Sequence, residues 1–255
     1  MEGMYQTLVP ASIRDLLRPL RDPTRVAMSS LIRIISKNRV LSGPFEGMQF
    51  RYPDQEYAML LGTWELELTE IWERILAHDY SLMVDVGAAE GYYAVGMNLR
   101  KPNAEVIAYE MDDHVRKKLK VMKELNQASL DIRRKCDLSD LENLGSQLEG
   151  AFILMDVEGF ETVLLDPVEI PALKKSTILV ELHEMYSADC TSTIENRFQE
   201  THEIQLVKGV KRSLDHLPPQ LGLVRRFFSR KRWLGYMDEG RPSEMSWFFM
   251  SPKED

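Results

Sequence analysis

The chain has 255 residues, a net charge of −8 and 44% hydrophobic residues, an ordinary globular composition that argues against disorder, collagen and coiled coils. With 40 acidic against 32 basic residues, the chain as a whole repels a phosphate backbone, so non-specific nucleic-acid binding is disfavoured as its main role. Two cysteines without a CxxC pattern, and no apolar run long enough to span a bilayer, predict a cytoplasmic protein without a disulfide scaffold, a structural zinc site or a transmembrane segment.

Residues 1–78 are predicted to form an N-terminal helical cap rather than an independent domain, because no linker-like stretch separates them from the rest of the chain. Amphipathic spacing predicts helices at residues 13–20, 24–37 and 57–77. The last of these places five apolar side chains on one face: Leu60, Trp64, Leu68, Ile71 and Ile75. Alternation over residues 45–52 predicts a strand. The basic helices within residues 13–39 are more consistent with helix packing or a homodimer than with a membrane surface.

From residue 79 to the end, apolar runs alternate with helical patterns. Strands are predicted at residues 81–86, 105–109, 130–135, 151–157, 177–182, 203–208 and 245–250, and helices at residues 90–100, 113–126, 139–148 and 191–200. Strands that alternate with helices imply right-handed crossovers and a parallel sheet, and the continuous apolar runs are typical of strands covered on both faces. We therefore expect an α/β domain with a Rossmann-like, doubly wound, mostly parallel seven-stranded sheet and helices on both faces.

The first strand-to-helix turn carries the main functional signal, VDVGAAEG at residues 84–91. Glycines there allow a ligand to approach the backbone, and the helix N-terminus offers free N–H groups; a tight turn without a ligand is the alternative. The turn does not match the dinucleotide fingerprint G-x-G-x-x-G, because Asp85 precedes the first glycine and Ala89 replaces the second. This mismatch counts against an NAD-linked oxidoreductase.

Acidic residues also follow the next two strands. Glu110 is placed to accept hydrogen bonds from both hydroxyls of a ribose, and Asp137 to reach an adenine amino group. Carboxylates at these strand ends suit a cationic or amino-bearing ligand without a phosphate. S-adenosylmethionine has this chemistry.

These stretches resemble class I S-adenosylmethionine-dependent methyltransferases. Residues 84–96 (VDVGAAEGYYAVG) and 107–110 (IAYE) resemble the first two motifs, and residues 155–161 (MDVEGFE) resemble the D-x-E-G sequence of the FkbM-type branch. Residues 60–65 (LLGTWE) are similar to a segment upstream of the first motif in relatives. The resemblance covers about residues 45–185 and departs from the pattern at Ala89, where a glycine is usual.

The resemblance implies a set of cofactor-binding residues. Those expected around the amino-acid end of the cofactor are Asp85, Gly87, Ala89 and Gly91, with Thr63 and Glu65 closing over it; Ala88 and Asp156 are also expected to bind the cofactor. Those expected at the nucleoside are Glu110 on the ribose, Asp137 facing the adenine, and Met111 and Leu138 packing on its ring.

Transfer to a hydroxyl requires a base near the acceptor. Four candidates follow the fourth and fifth strands: Asp156, Glu158, Glu181 and His183. Because residues i and i+2 of a strand share a face, Glu181 and His183 should point together beside Asp156, and His183 is the best general base. Three alternatives stay open: a surface histidine, a divalent cation that orients the acceptor hydroxyl, and a helix cap formed by Glu158 with Gly159.

Residues 208–241 form a predicted insert before the last strand. Its basic residues are Lys208, Lys211, Arg212, Arg225, Arg226, Arg230, Lys231, Arg232 and Arg241, interleaved with Phe227, Phe228, Trp233 and Tyr236. A solvated helical face with aromatic anchors is the favoured interpretation, and a clamp for an anionic acceptor is the alternative.

The sequence thus predicts a methyltransferase acting on a hydroxyl of a small-molecule acceptor, sugar-containing or anionic. An RNA methyltransferase that uses the basic insert, and a non-catalytic nucleotide-binding module, are the alternatives. The Asn/Asp-Pro-Pro-Tyr signature of amine methylation is absent after the fourth strand, which disfavours base nitrogens as targets.

Overall fold

The computed structural model describes residues 23–51, 57–186, 188–240 and 245–254, so the helix predicted at residues 13–20 lies outside the described residues. Seven strands form one sheet in the order β3-β2-β1-β4-β5-β7-β6. Their bounds are β1 (Leu82–Val86), β2 (Glu105–Tyr109), β3 (Asp131–Arg133), β4 (Phe152–Met155), β5 (Thr177–Glu181), β6 (His202–Lys208) and β7 (Ser246–Pro252). The predicted α/β class is confirmed.

Strand β1 lies at the centre and pairs in parallel with both β2 and β4. β3 and β5 extend the parallel part on either side, whereas β7 runs antiparallel to β5 and β6 antiparallel to β7. The strand order therefore reverses direction at β1 and β4. In doubly wound sheets, ligands bind outside the carboxyl ends of the strands at this point.

Helices cover both faces of the sheet. Their bounds are α1 (Pro23–Ser36), α2 (Tyr57–Leu61), α3 (Thr69–Ala77), α4 (Tyr92–Arg100), α5 (Asp113–Asn126), α6 (Leu138–Leu144), α7 (Glu161–Leu164), α8 (Cys190–Phe198) and α9 (Arg230–Met237). Short 3-10 helices lie at Leu66–Leu68, Gly145–Leu148, Pro171–Lys175, Leu214–His216 and Pro219–Phe227. The predicted bounds of β2 and α5 match the observed ones, and the other predicted elements after residue 79 differ at their ends.

Alternate residues of each central strand enter two different hydrophobic clusters. In β1, Val84 and Val86 pack with α6, α7 and α8, whereas Met83 packs with α4, α5 and the N-terminal segment. All five residues of β1 are buried. Because Asp85 shares its face with Met83, its carboxyl group points into a covered layer rather than into solvent.

The strand predicted over residues 45–52 is wrong. The structure has an isolated bridge between Arg39 and Gln49 with a turn between them. Phe45 and Phe50 are nevertheless buried, 2% and 0% exposed. The alternating pattern reflects side chains that a turn inserts into the core, which the periodicity of the sequence does not distinguish from a strand.

The continuous helix predicted over residues 57–77 is also wrong, because the chain bends after α2. Gly62 has φ +75°, outside the right-handed helical region, so the helix ends before it; a Cβ there would lie 1.9 Å from the backbone oxygen of Ser42, which only glycine avoids. Glu65 takes a left-handed φ of 43° before the chain resumes at α3. The sequence shows helical spacing across the bend because most of the apolar residues on that predicted face are buried even though the helix is interrupted: Leu60, Leu68, Ile71 and Ile75.

The N-terminal helix α1 contributes side chains to the hydrophobic core on one face of the sheet. Met28 and Ile32 belong to the same hydrophobic cluster as Phe152 and Leu179 of the central strands. The division into a cap (residues 1–78) and a sheet domain (residues 79–255) stays a prediction. Among the described helices, none is long and apolar enough to cross a membrane.

Candidate functional site

The loop after β1 is held against the ends of β2 and β4. The N–H groups of Gly87 and Ala88 both donate to the carbonyl oxygen of Tyr109, at 3.0 and 2.9 Å. Gly87 has φ +94°, and a Cβ there would lie 1.7 Å from the carbonyl oxygen of Asp156. Only glycine fits this position, so the sequence places the loop directly over the sheet edge.

The next two loop residues complete the turn into α4. Ala89 takes a left-handed φ of 45° without being a glycine. Gly91, with φ 93°, is the residue before α4, and its N–H donates to the carbonyl oxygen of Ala88 at 2.8 Å. The predicted loop residues are therefore together at the N-terminus of a helix.

Glu110, at the end of β2, is fixed by two backbone donors. Its Oε2 accepts from the N–H of Ala89 at 3.0 Å, and its Oε1 accepts from the N–H of Asp112 at 2.7 Å. The residue is 9% exposed. Each carboxylate oxygen keeps acceptor capacity after these bonds, so the pair of oxygens remains able to receive two further hydroxyl donors.

Asp85 is buried, with 1% of its surface exposed. Burial, followed by the neighbouring charges of Asp156 and Glu110, raises the pKa of Asp85 to about 8. Its Oδ2 atom has no hydrogen-bond partner among the described residues. A buried polar atom without a partner is costly, and such an atom indicates a missing donor.

A cavity of about 320 Å³ opens at this edge of the sheet. Its polar lining includes Glu110, Asp156 and Glu158, and its apolar lining includes Val86, Tyr109, Met111, Val157, Phe160 and Leu164. A mostly apolar cleft with a few placed polar groups is typical of a small-molecule site.

The third strand contributes to the cavity differently from what the sequence predicted. Lys135 and Cys136 line it, whereas Asp137 caps α6, accepting from Ser139 Oγ at 2.7 Å in a capping box with Asp140. These hydrogen bonds lower the pKa of the exposed Asp137 carboxyl. Leu138 packs with the hydrophobic cluster under α6, so the structure brings neither Asp137 nor Leu138 to the cavity wall.

Glu65 lies in the bend between α2 and α3 and is 2% exposed. Its Oε2 accepts from the hydroxyl of Tyr93 in α4, and its N–H donates to Glu239 Oε1 at 2.8 Å. Thr63 donates instead to the carbonyl oxygen of Ala58 at 3.4 Å, within its own turn. Glu65 thus connects the bend to α4, the helix that follows the β1 loop. The sequence did not indicate that Tyr93 would be its partner.

The insert is anchored to the same bend by a charged group. Arg212 contacts Glu67 Oε2 at 2.9 Å and also pairs with Glu239. The three side chains are 12%, 4% and 9% exposed in the order Arg212, Glu67, Glu239. The expectation of a solvated basic face is therefore wrong for Arg212. Nothing in the sequence distinguished this arginine, as a residue that is mostly covered, from the other basic residues of the insert.

His183 lies at the centre of a cluster of carboxylates after β4 and β5. Its Nε2 atom is 3.7 Å from Asp156 Oδ1, 3.5 Å from Glu158 Oε2 and 3.6 Å from Glu181 Oε2. The structure thus brings together all four residues that the sequence selected. His183 is 3% exposed, so the interpretation as a surface histidine is wrong.

Glu161 is the residue of this cluster that sequence reasoning missed. It is fully buried, and its Oε1 lies 2.6 Å from His183 Nδ1. The same oxygen accepts from the N–H groups of Val157 and Gly159, at 3.3 and 3.2 Å. Glu161 lies within the D-x-E-G-x-E stretch, and this position was the one signal that could have identified it.

The Glu161–His183 contact changes the pKa of both groups. Burial alone would lower the pKa of His183, but the hydrogen bond to Glu161 and the charges of Asp156, Glu161 and Glu158 raise it above its ordinary value. Burial alone would raise the pKa of Glu161, but the same hydrogen bond and the backbone donors lower it. The pair therefore favours a carboxylate next to an imidazolium.

The same cluster also has the composition of a cation site. Asp156, Glu158 and His183 each offer one ligand atom, and these atoms lie within 4.8 Å of one another. Capping of the next helix by Glu158 is not observed, since Phe160 precedes α7 without any side-chain capping bond.

No protein-family model matches the chain, and the comparison with curated proteins finds no match. Solved structures with a similar fold include precorrin-6y C5,15-methyltransferase from Geobacter metallireducens, 11% identical over 72% of this chain and 88% of that chain, with a TM-score of 0.47. Another is an rRNA methylase from Streptococcus thermophilus, 10% identical over 72% of this chain and 95% of that chain, with a TM-score of 0.46. At these identities the likeness concerns the fold alone.

Proposed function

We propose that this chain is an S-adenosylmethionine-dependent methyltransferase that methylates a hydroxyl group of a small-molecule or sugar acceptor. One observation carries the proposal. The buried, unpartnered Oδ2 of Asp85 interacts electrostatically with Glu110 and Asp156, which line the cavity, and Asp156 in turn faces His183. A ligand site and a proton acceptor therefore meet at the carboxyl ends of β1, β2, β4 and β5.

The residues at this edge fit the cofactor. Asp85 and Asp156 would hold its amino and sulfonium end, because carboxylates stabilise a nearby cation. Glu110 would hold the ribose hydroxyls with the acceptor capacity that its two backbone bonds leave. Met111 and Phe160 would pack on the adenine ring. When bound, the cofactor supplies an electrophilic methyl group whose sulfonium carrier leaves as a neutral thioether.

The contribution of the chain's own residues is to accept a proton from the acceptor. Glu161 holds the proton on Nδ1 of His183 through their 2.6 Å contact, which leaves Nε2 as the basic atom of the neutral ring. Nε2 points toward Asp156, Glu158 and Glu181, whose charges stabilise the imidazolium after it receives the hydroxyl proton. This arrangement repeats the base-plus-orienting-carboxylate logic of other general-base sites.

Calorimetric titration with S-adenosylhomocysteine tests the cofactor assignment. We expect saturable binding to the wild-type chain and a loss of affinity of about tenfold or more for Asp85→Asn, because a hydrogen bond to a charged group contributes about 1.5–3 kcal/mol. Asp79→Asn is the matched control, since Asp79 pairs with Lys101 at the exposed surface. Absence of binding at millimolar ligand would refute the proposal, as would equal losses in both variants.

A divalent cation held by Asp156, Glu158 and His183 is the alternative to a free histidine base. A chelator separates the two once an acceptor is found by screening sugars and phenols for S-adenosylhomocysteine release. If His183 is the base, chelation leaves turnover unchanged and the rate rises with pH through a pKa above 6.5, the ordinary value of histidine. Turnover that is lost on chelation and restored by Mg²⁺ or Mn²⁺ would favour the cation.

RNA as the acceptor and a non-catalytic nucleotide-binding module are the remaining alternatives. Four exposed basic residues of the insert, Arg225, Arg226, Arg230 and Lys231, favour RNA. Product formation on RNA oligonucleotides but not on sugars or phenols would select that acceptor. Cofactor binding without product on any acceptor would select the non-catalytic module.

A further inference from the structure

Two segments of the chain that contain no acidic residue lie side by side. Residues 23–45 hold four Lys or Arg residues, and residues 216–237 hold five, with no Asp or Glu in either range. α1 packs against the 3-10 helix Pro219–Phe227, and Ser29 Oγ of α1 is hydrogen-bonded to the hydroxyl of Tyr236 in α9 at 2.8 Å. We call the surface of these two segments the acid-free face, because neither range contains an acidic residue; at its border, Glu46 accepts from Gln220 Nε2 at 3.2 Å.

Large apolar side chains are exposed on this face. Ile34 is 71% exposed, Leu223 70% and Phe227 76%. The segment that carries Leu223 and Phe227 has a defined backbone: Gly222 interrupts the 3-10 helix with φ 49°, and Trp233 Nε1 donates to the carbonyl oxygen of Arg225 at 2.9 Å. Exposed apolar groups on a surface that the fold holds in place indicate contact with an apolar phase.

Basic side chains surround these apolar groups. Arg225, Arg226, Arg230 and Lys231 are all exposed. At the C-terminal end of α1, a cavity of about 440 Å³ is lined by Arg33, Lys37 and Arg51, and none of the described residues in its wall is acidic. In a chain with a net charge of −8, this concentration of positive charge is complementary to a surface of anionic headgroups.

We propose that the acid-free face docks on the surface of an anionic lipid bilayer. The basic side chains contact headgroup phosphates, and Ile34, Leu223 and Phe227 enter the boundary between headgroups and acyl chains. A bilayer fits better than a nucleic acid, because Ile34 and Leu223 gain nothing from a phosphate backbone but are stabilised in an acyl environment. The proposal goes beyond the methyltransferase function and does not depend on it.

Vesicle sedimentation of the full chain tests the proposal. The probes are vesicles of phosphatidylcholine alone and of phosphatidylcholine with phosphatidylserine. We expect binding to the anionic vesicles, loss of that binding at high salt, and little binding to the neutral ones, since each basic residue near an anionic surface strengthens binding about fivefold.

Two double variants separate the two kinds of contact. Arg225→Gln with Arg226→Gln should weaken binding to anionic vesicles by about 25-fold, and Leu223→Ser with Phe227→Ser by about tenfold or more. The matched controls are Lys117→Gln with Lys120→Gln, on the exposed side of α5, and Val168→Ser, which is 77% exposed near Asp166 and Glu169. Both controls should bind like wild type, and thermal melts confirm that each variant is folded.

Three results would overturn the proposal. They are no binding to anionic vesicles, equal losses in the control and test variants, or binding to single-stranded RNA that needs Arg225 and Arg226 while vesicle binding is absent. The last result would identify the face as a nucleic-acid surface instead.

Discussion

The sheet edge and the acid-free face differ in how the fold handles charge. At the edge, Asp85, Glu161 and Glu181 are buried to 2% exposure or less, and backbone N–H groups or His183 offset part of the cost for Glu161. On the acid-free face, by contrast, Arg225, Arg226, Arg230 and Lys231 are exposed in the same segment as the exposed Leu223 and Phe227. The net charge of −8 therefore describes neither region, because burial and partner geometry determine what each charge can do.

The largest expected loss of stability comes from replacing the glycine of the turn at the sheet edge. Gly87→Ala should destabilise the chain by about 4 kcal/mol or more, because φ +94° is strained for alanine and its Cβ would overlap the carbonyl oxygen of Asp156. Gly145→Ala is the control, since φ is +52° there and no atom lies within 4 Å of the added Cβ; it should cost about 1 kcal/mol. Urea unfolding of both variants measures the difference, and similar losses would contradict this account of the turn.

Substitution of an anchored basic residue of the insert should lower the stability of the chain much more than substitution of an exposed one. Arg212→Met should cost about 3 kcal/mol, because it removes a cation that contacts the buried carboxylates of both Glu67 and Glu239. Arg226→Met, at an exposed position, should change stability by less than about 0.5 kcal/mol. Chemical denaturation of the two variants compares them, and equal values would show that Arg212 does not anchor the insert.

The buried carboxyl of Asp85 should make stability depend on pH. Its pKa is about 8 in the folded chain and about 3.9 when unfolded. The favourable contribution of the protonated group is therefore complete below about pH 4 and is lost as pH rises to about 8. Asp85→Asn should remove this slope and stabilise the chain at pH 8 by an amount on the order of a few kcal/mol. Thermal melts recorded at several pH values from 4 to 8 measure this pH dependence. If the stability of the variant and of the wild type changes with pH to the same extent, Asp85 is not the cause.

The smallest effect concerns the histidine pair. Glu161→Gln should lower the pKa of His183, because it removes the charged hydrogen-bond partner on Nδ1. In the wild type, the raised pKa of His183 adds stability that is lost as pH rises through it, and the lowered pKa of Glu161 adds stability that is lost as pH falls through it.

NMR titration of the imidazole ring measures this pKa directly. Glu158→Gln is the control, since the Glu158 side chain is 70% exposed and solvent screens its charge; its shift should be smaller. A larger shift in the Glu158 variant would reverse the assignment of the orienting carboxylate.

The local periodicity and turn residues of the sequence predicted the sheet and much of its edge. Apolar runs located the strands, since burial on both faces removes alternation, and Gly87 marked the loop because its backbone conformation excludes other residues. The i, i+2 relation of Glu181 and His183 placed them together, as the structure shows. The errors, at residues 45–52 and 57–77, occur where apolar spacing is compatible with a turn or a bend.

The α/β class, the position of the glycine-containing loop after β1 and the grouping of three carboxylates around Nε2 of His183 could therefore be predicted from the sequence alone. Three features became clear only in the folded chain: which carboxylate contacts Nδ1, that Asp137 caps a helix, and that the Arg212 side chain is mostly covered whereas Arg226 is exposed. The physical reason is that a residue's partners and burial come from segments distant in the chain, such as Glu67 for Arg212 and α1 for the insert, and these contacts form only when the sheet brings them together.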